Sequence, residues 1–482
     1  MKFSDSNQVK RNSEQSAVKT AAGEISRRKF LTTGAAAVAA PMFIPRSVLG
    51  GPGYQAPSDK LRIAAVGLNM GFGYLTGCQD EQIVALCDLD HTIGARSFEK
   101  WPKARRYHDF RKMFDKEANN IDAVIVATPD HTHTIILMAA IELNKHIYCA
   151  KPITHNIGEA RRVGKALLEN KHLVTKSSVQ WSGTDNARST SELLSTGVIG
   201  PVTEVHIWCD HPIYPASLTR PTKVETPPKG MDWDLWLGPA PYRPYSSAYH
   251  PWNWRAWWDF GTGSVGDMCC HTLHAYFKEL NLNAPSTVYG RGSTHCGGLI
   301  NQKVNWIETP ECQSRANMVS WEFPAREELP PTNVHWYDGG MQPHRPVELD
   351  HKLEMPRSGV IFVGEKGKIL SSYGGGNPFK DRGNSGGLLL PEERFTGFQD
   401  PPKSMRRADE HYKEWTEACK TGSSTVCPVE FGCEMTELGL LGAMALRTGK
   451  LLEWDSGKMQ VTNHGDDVNI HVDTPYRKGW EI

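Results

Sequence analysis

Residues 60–90 contain a strand, a glycine-rich turn and a second strand that ends in an aspartate. The apolar run 60–66 (KLRIAAV) predicts a buried strand that stops at Gly67. The segment EQIVALCDLD then predicts a second buried strand, with Asp88 at its end. A dinucleotide-binding βαβ unit carries an acid at about this distance after its first strand, where the acid accepts hydrogen bonds from ribose hydroxyls. The pattern predicts a Rossmann-type nucleotide site.

The turn matches the Rossmann fingerprint only in part. Gly67 is followed by Gly71 and Gly73, while Asn69 stands where the fingerprint has a glycine. Glycines in such a turn let the backbone approach the pyrophosphate of the dinucleotide. On this pattern alone, an ordinary βαβ turn remains an alternative. Asp88 favours NAD over NADP, because its carboxylate would repel a 2′-phosphate.

Polar residues follow the next strands along the chain. The segment IDAVIVA predicts a third buried strand, which leads into the loop 128–133 (TPDHTH), and HIYC predicts another strand that ends at Lys151 and Pro152. A last strand is predicted in HLVTKSSVQ. Strands that alternate with helices form a parallel sheet, and ligands bind beyond the carboxyl ends of its strands. Asp130, His131 and Lys151 all stand at such ends, which favours a functional role for Lys151.

A glycine-rich turn in the second half leads into a helix that carries an acid and two histidines. The stretch is WWDFGTGSVGDMCCHTLHAYF, residues 257–277. Asp267 and His271 are four residues apart, so both project from one face of the helix, and His274 lies on that face too. One alternative is a helix-capping aspartate with core histidines. Another is a metal site, because an aspartate and two histidines could bind zinc.

The motifs ATPDHTH and CAKPIT, together with this turn and helix, resemble those of the Gfo/Idh/MocA oxidoreductases. The hallmark of that family at the second motif is Glu-Lys-Pro, and Ala150 replaces the glutamate here. The resemblance implies an α/β Rossmann domain followed by an α+β domain with an open, mostly antiparallel sheet. The predicted organisation is a signal peptide and flexible leader at 1–56, an NAD-binding domain at 57–178, and a substrate and oligomerisation domain at 179–482.

The resemblance also implies a site. His271 is predicted to be the base, because an imidazole titrates near neutral pH, Lys151 to hydrogen-bond the reacting oxygen, and Asp267 to orient His271. The predicted cofactor-binding residues are Gly67, Asn69, Gly71, Asp88, Thr128, Pro129, His131, His133, Lys151, Pro152 and Gln180. The predicted substrate-binding residues are Trp254, Arg255, Trp258, Asp267, His271, His274 and His411. No metal is predicted, because hydride transfer to NAD needs none.

Six of the fifteen tryptophans lie between residues 233 and 258. Indole faces suit sugar rings, and Arg255 could hold a hydroxyl or a carboxylate; a tryptophan-rich core or dimer interface is the alternative. The predicted function is an NAD-dependent oxidoreductase that acts on CH–OH groups of a carbohydrate or cyclitol with a tightly held cofactor. The alternative is a redox-cycling glycosidase, which oxidises, eliminates, hydrates and re-reduces its substrate. A non-catalytic sugar sensor is a third hypothesis.

The first residues indicate export. Residues 26–31 (SRRKFL) and the Ala-rich stretch after them resemble a twin-arginine signal, although a disordered tail with an incidental Arg-Arg would look the same. The prediction is a periplasmic or otherwise exported protein. Fifty-four basic residues balance fifty-four acidic ones, which gives no reason to expect nucleic-acid binding. No apolar run is long enough for a membrane span, and a homo-oligomer is expected.

Overall fold

The strands Arg62–Val66, Ala123–Val126 and His146–Cys149 of the first sheet are short, mainly apolar segments that are largely buried on both faces, as in a parallel sheet that helices cover on each side. The structure is a computed structural model that describes residues 56–372 and 376–482. Along the first strand, Ile63 and Ala65 belong to one hydrophobic cluster, whereas Ala64 and Val66 belong to another. Because successive side chains of a strand point to opposite faces of the sheet, this strand contributes residues to two separate hydrophobic cores.

The first sheet has six strands in the order β3-β2-β1-β4-β5-β6, and all neighbouring strands are parallel. Its strands are β1 Arg62–Val66, β2 Gln82–Cys87, β3 Arg105–Tyr107, β4 Ala123–Val126, β5 His146–Cys149 and β6 Thr175–Ser177. Its helices are α1 Gly71–Gly77, α2 His91–Lys100, α3 Phe110–Glu117, α4 His133–Glu142 and α5 Ile157–Glu169. The strand order reverses between β1 and β4, and the crevice at such a reversal is where ligands bind.

The second sheet has nine strands in the order β15-β14-β13-β7-β12-β11-β8-β16-β17. Its neighbours are antiparallel except for β7 and β12, which are parallel. Its strands are β7 Val202–Trp208, β8 Thr287–Gly292, β11 Asn317–Phe323, β12 Thr332–Tyr337, β13 Gly359–Gly364, β14 Gly367–Ser372, β15 Leu388–Leu390, β16 Leu452–Asp455 and β17 Gln460–Val461. A separate hairpin consists of β9 His295–Ile300 and β10 Lys303–Ile307. The predicted fold class is confirmed.

The remaining helices are α6 Asp185–Ser195, α7 Trp233–Leu237, α8 Gly263–Tyr276, α9 His411–Thr421, α10 Val429–Thr448 and α11 Asp466–Asn469. Every residue of α8 is buried. Helices α9 and α10 come late in the chain but pack on the first sheet, since Trp415 joins one of its cores and Val429 the other. The hydrophobic cores of the first sheet therefore contain residues from both halves of the sequence. The domain limits at 178 and 179 stay a prediction.

In the parts of the chain that the structure describes, no helix is long and apolar enough to cross a membrane. The predicted twin-arginine signal and nearly all of the predicted leader lie outside the described residues.

Candidate active site

Gly67 ends β1 with a φ of +86°, and a Cβ at this position would lie 2.5 Å from the carbonyl carbon of Ala127, next to β4. Only glycine allows these two strand ends to approach each other so closely. The turn continues through Asn69, whose side chain is exposed, to Gly71, which begins α1. Asn69 in place of the fingerprint glycine therefore leaves the turn intact.

A cavity of about 240 Å³ begins at this turn, follows the carboxyl ends of the first sheet and continues to residues of the second half of the chain. The predicted site residues that line it are Gly67, Asn69, Asp88, Thr128, Pro129, Lys151, Trp254, Arg255 and Asp267. Ala150 lines it too. The residues of the predicted cofactor and substrate sites thus meet in one cavity.

Asp88 stands at the carboxyl end of β2, where a dinucleotide presents its adenine ribose. Its carboxylate accepts the backbone N–H groups of Leu68 at 2.7 Å and Asp90 at 2.9 Å. Burial raises the pKa of Asp88 to about 6, against these hydrogen bonds. The close glycine turn and this acid in the same cavity fit a dinucleotide that carries a free 2′-hydroxyl.

Lys151 and Asp267 form an ion pair in the cavity. The Nζ atom of Lys151 lies 2.5 Å from Oδ1 of Asp267 and 2.8 Å from its backbone oxygen, and the two side chains are 13% and 12% exposed. Burial raises the pKa of the Asp267 carboxyl, but the charges of Lys151 and Arg255 outweigh it and hold this pKa below its ordinary value. The amine at the end of β5 and the acid on α8 are therefore one unit.

His271 lies one helical turn beyond Asp267 and is 5% exposed. Its ring centroid is 4.6 Å from that of Trp181, and it is not among the residues that line the cavity. Within the described residues its Nδ1 has no hydrogen-bond partner. Burial, and next the charge of Lys151, lower the pKa of His271 well below its ordinary value. The imidazole is thus neutral, and it lies on α8 without lining the cavity.

Asp130 is a cavity residue that the sequence-based site omitted. Its Oδ2 accepts a hydrogen bond from Thr262 Oγ1 at 3.0 Å, and the residue lines the cavity beside Lys151 and Asp267. Burial, and next the charge of Asp267, raise the pKa of Asp130 to about 8. The position at a strand end was visible in the sequence, but the burial that keeps this carboxyl protonated at neutral pH was not.

His211 was missed as well. It follows β7 and lines the cavity, and its Nδ1 lies 3.2 Å from Cys209 Sγ. Burial lowers the pKa of His211, although the charge of Asp267 opposes this. Cys209, Asp210 and His211 also offer three possible metal-ligating atoms within 4.8 Å of one another, but the Asp210 carboxylate pairs with Arg357 at 3.0 Å. In the sequence, His211 was marked only by its place shortly after the segment that forms β7.

His131 and His133 do not line the cavity, but their rings contact backbone carbonyl groups of the segments around it. The ring nitrogens of His133 lie 2.8 Å from the carbonyl oxygen of Thr128 and 2.9 Å from that of Pro152, so this ring ties the two strand-end loops together. His131 lies 2.9 Å from the carbonyl oxygen of Trp236 and 3.2 Å from that of Phe260. Both histidines are positioning residues in this structure.

The other predicted residues lie elsewhere. His274 packs against Phe431 at 4.5 Å, and neither of its ring nitrogens has a hydrogen-bond partner within the described residues. Burial lowers its pKa to about 3. The Nε2 atom of His411 lies 3.0 Å from the hydroxyl of Tyr148. Gly71, Pro152, Gln180 and Trp258 are likewise not among the residues that line this cavity.

Arg255 contacts two indoles, with its guanidinium carbon 3.9 Å from the ring centroid of Trp252 and 4.2 Å from that of Trp254. Gly261, in the turn before α8, lies close to Arg255, because a Cβ there would lie 2.6 Å from the Arg255 Cα. This glycine fixes the backbone that presents the arginine to the cavity.

Comparisons with known proteins identify two family models in the chain. The model described as "Oxidoreductase family, NAD-binding Rossmann fold" matches residues 61–177. The model described as "Oxidoreductase family, C-terminal alpha/beta domain" matches residues 215–288. The first spans all six strands of the parallel sheet, and the second spans Arg255 and Asp267.

Among curated proteins, the uncharacterized oxidoreductase YfiI of Bacillus subtilis is 27% identical over 34% of this chain and 41% of its own length. Levoglucosan dehydrogenase of Pseudarthrobacter phenanthrenivorans is 29% identical over 35% of this chain and 42% of its own. The matches thus span less than half of these relatives. The solved structure of the WlbA dehydrogenase from Bordetella pertussis, in complex with NADH and UDP-GlcNAcA, aligns with a TM-score of 0.53 at 13% identity, over 82% of this chain and 99% of that one. This likeness concerns the fold.

Proposed function

We propose that this chain, whose residues 61–177 and 215–288 match the two models of the Gfo/Idh/MocA oxidoreductase family, is an NAD-dependent oxidoreductase acting on a CH–OH group of a carbohydrate or cyclitol. The observation that carries the proposal is the 2.5 Å pair of Lys151 and Asp267 in the cavity that begins at the Gly67 turn. The indoles of Trp252 and Trp254 in the cavity wall suit a sugar ring. The name levoglucosan dehydrogenase, borne by a relative, supports a carbohydrate substrate.

The cofactor and the side chains of the protein contribute different parts of the reaction. NAD, when bound, would accept a hydride from the substrate carbon, and Gly67, Asp88 and Thr128 are the residues that we propose hold it. The hydroxyl of the same carbon loses a proton as the carbonyl forms. Lys151 hydrogen-bonds that oxygen and stabilises its developing negative charge, and Asp267 holds the amine in place.

The proton needs an acceptor with a lone pair, and we assign it to the neutral His271. Its Nδ1 lacks a hydrogen-bond partner within the described residues, and Lys151 is near enough for its charge to lower the pKa of His271. Because Lys151 lines the cavity and His271 does not, we propose that the proton reaches the imidazole through Lys151, which would give one proton to His271 as it receives the one from the hydroxyl.

A direct experiment tests this function. Purified protein is denatured gently and the released nucleotide is identified by mass spectrometry, and fresh protein is then incubated with NAD and a panel of aldoses, uronates and inositols. We expect bound NAD, NADH absorbance at 340 nm and a keto product with at least one substrate. Lys151→Ala and His271→Ala should lose turnover and retain NAD. Turnover at the parental rate in both variants would overturn the site assignment.

A second candidate function is redox-assisted glycoside cleavage, and one observation favours it. Asp130 and His211 line the same cavity as the ion pair, which gives more acid–base groups than hydride transfer requires. Oxidation of a ring hydroxyl acidifies the neighbouring C–H, a base removes that proton, the glycosidic oxygen leaves, water adds and the hydride returns. Incubation with aryl glycosides in deuterated buffer distinguishes the two functions, because only this route releases aglycone, places deuterium beside the oxidised carbon and accumulates no NADH.

Export and assembly remain proposals. We propose that the twin-arginine leader exports the folded protein with its cofactor bound, because a free NAD pool is not expected outside the cytoplasm. We further propose a homo-oligomer, supported by Met318 on the face of β11 turned away from the core, which is 47% exposed. Cell fractionation with and without the Arg27–Arg28 pair tests the first proposal, and light scattering after size exclusion tests the second.

A further inference from the structure

Arg255 is a buried cation whose hydrogen bonds use neutral acceptors. The residue is 9% exposed, its Nη1 donates to the carbonyl oxygen of Trp252 at 3.3 Å and its Nη2 lies 3.0 Å from Sδ of Met70. Among the described residues, no carboxylate forms an ion pair with it within 4.0 Å. Burial of a charge is costly unless the charge is paired, and in the described part of the chain no carboxylate lies within ion-pair distance of this guanidinium, although its charge acts on Asp267 from further away.

The two acids Asp267 and Asp130, which line the same cavity as Arg255, do not act as its counter-ion. Asp267 is committed to Lys151 through the 2.5 Å contact. Asp130 accepts a hydrogen bond from Thr262, and burial holds its carboxyl in the protonated form, with a pKa of about 8. Once the ion pair has cancelled its own charges, the positive charge left in this part of the cavity is that of Arg255.

The surroundings of Arg255 fit the recognition of a planar or tetrahedral oxyanion. The guanidinium carbon lies 3.9 Å and 4.2 Å from the centroids of two indole rings. Its five N–H donors exceed the two contacts that Nη1 and Nη2 make, so donors are left for a carboxylate or phosphate. Met70 belongs to the glycine turn of the first sheet, and Trp254 lines the cavity beyond it. The guanidinium is therefore within reach of both the cofactor and the substrate parts of the cavity.

We propose that Arg255 is an anion-binding residue that pairs with an oxyanion of a bound ligand. This inference rests on the proposed function, and the oxyanion has two possible sources. One is the diphosphate of the dinucleotide, which in such a fold would lie at the glycine turn to which Met70 belongs. The other is the carboxylate of an acidic sugar such as a uronate, stacked on the indoles that flank Arg255.

Binding measurements on the full chain distinguish the two sources. Arg255→Gln removes the charge, and Arg255→Lys keeps the charge but removes the planar guanidinium that binds an oxyanion through two N–H groups. Arg220→Gln serves as control, because the Arg220 side chain is 55% exposed and lies outside the cavity. NAD and adenosine are titrated calorimetrically into nucleotide-free protein. D-glucuronate and D-glucose are titrated into NAD-loaded protein, and circular dichroism checks that each variant is folded.

If the diphosphate is the anion, Arg255→Gln weakens NAD binding by about tenfold or more, corresponding to a charged hydrogen bond, and leaves adenosine unchanged. If the carboxylate is the anion, D-glucuronate weakens by a similar factor and D-glucose does not. Arg255→Lys should lose less in either case. The proposal is overturned if folded Arg255→Gln binds both NAD and D-glucuronate like the parent, or, where the parent binds no glucuronate, if it binds NAD like the parent. Absence of NADH formation with every substrate would count against the oxidoreductase, and not against this pairing.

Discussion

Lys151 Nζ and Asp267 Oδ1 lie 2.5 Å apart although 116 positions of sequence separate the two residues. The lysine ends a strand of the parallel sheet, and the aspartate is on a buried helix of the second half of the chain. Both residues line the cavity, and each charge stabilises the other because both side chains are largely buried.

Lys151→Met and Asp267→Asn should each lower turnover by about 100-fold or more, the range lost when a positioned acid–base group is removed. Each single variant should also lower the melting temperature, because breaking a buried pair leaves an unpaired charge. The double variant Lys151→Met/Asp267→Asn should be more stable than the sum of the singles predicts. Additive losses in thermal melts would show that the two charges do not interact.

Gly67→Ala should abolish NAD binding and destabilise the protein, because a Cβ there would lie 2.5 Å from Ala127 and the φ is +86°. The matched control is Gly73→Ala, in the same turn-and-helix segment, where a Cβ meets nothing within 4 Å. This control should bind NAD normally and gain up to about 1 kcal/mol from helix propensity. Calorimetric titration and melting curves check both variants, and equal behaviour would contradict the close approach of β1 and β4.

The free energy of unfolding should decrease as the pH rises, because the Asp130 carboxyl loses its proton. The folded state holds the proton on this carboxyl up to about pH 8, whereas the unfolded chain releases it near pH 4. The folded state thus binds more protons between these values, and stability falls with rising pH across this window. Asp130→Asn keeps an acceptor for Thr262 and removes the titration, so its melting temperature should decline less between pH 5 and 9 than that of the parent. Parallel curves would refute the assignment.

His274→Leu should leave turnover nearly unchanged and maintain or raise the melting temperature. Both ring nitrogens of His274 lack hydrogen-bond partners within the described residues, and replacing such a buried polar group with an apolar one removes a desolvation cost. The comparison is His271→Leu, for which we expect loss of turnover. A loss of turnover in His274→Leu as large as in His271→Leu would return His274 to the substrate site.

His211→Gln tests the second candidate function. If His211 is the base for elimination, the variant should lose about 100-fold in aglycone release from aryl glycosides while keto-sugar formation with NADH stays within about threefold of the parent. His351→Gln is the control, since its side chain is 88% exposed. Equal losses in both reactions would mean that His211 positions the substrate and transfers no proton.

The sequence predicted the cavity residues of the parallel sheet better than the cavity residues of the second half of the chain. In the parallel sheet, the carboxyl ends of all strands meet at one edge, so Gly67, Asp88 and Lys151 could be assigned to one cavity from strand order alone. His274 and His411 were assigned by helix spacing and resemblance. Both are in the protein interior, because helical spacing identifies a face and does not show whether that face meets a cavity or a core.

By itself, the sequence determined the strand–turn–helix order and the parallel sheet, and it assigned Lys151, Asp267 and His271 to one site as a hypothesis; the pairing of Lys151 with Asp267 came from the structure. Local propensity and burial period are encoded in neighbouring residues, and these suffice for such features. Only the tertiary structure decided that Asp130 and His211 join the cavity, that His271 does not line it and that Arg255 contacts two indoles. These facts depend on how β7, α8 and the tryptophan segment pack over the first sheet, and on the burial that this packing imposes on each charge.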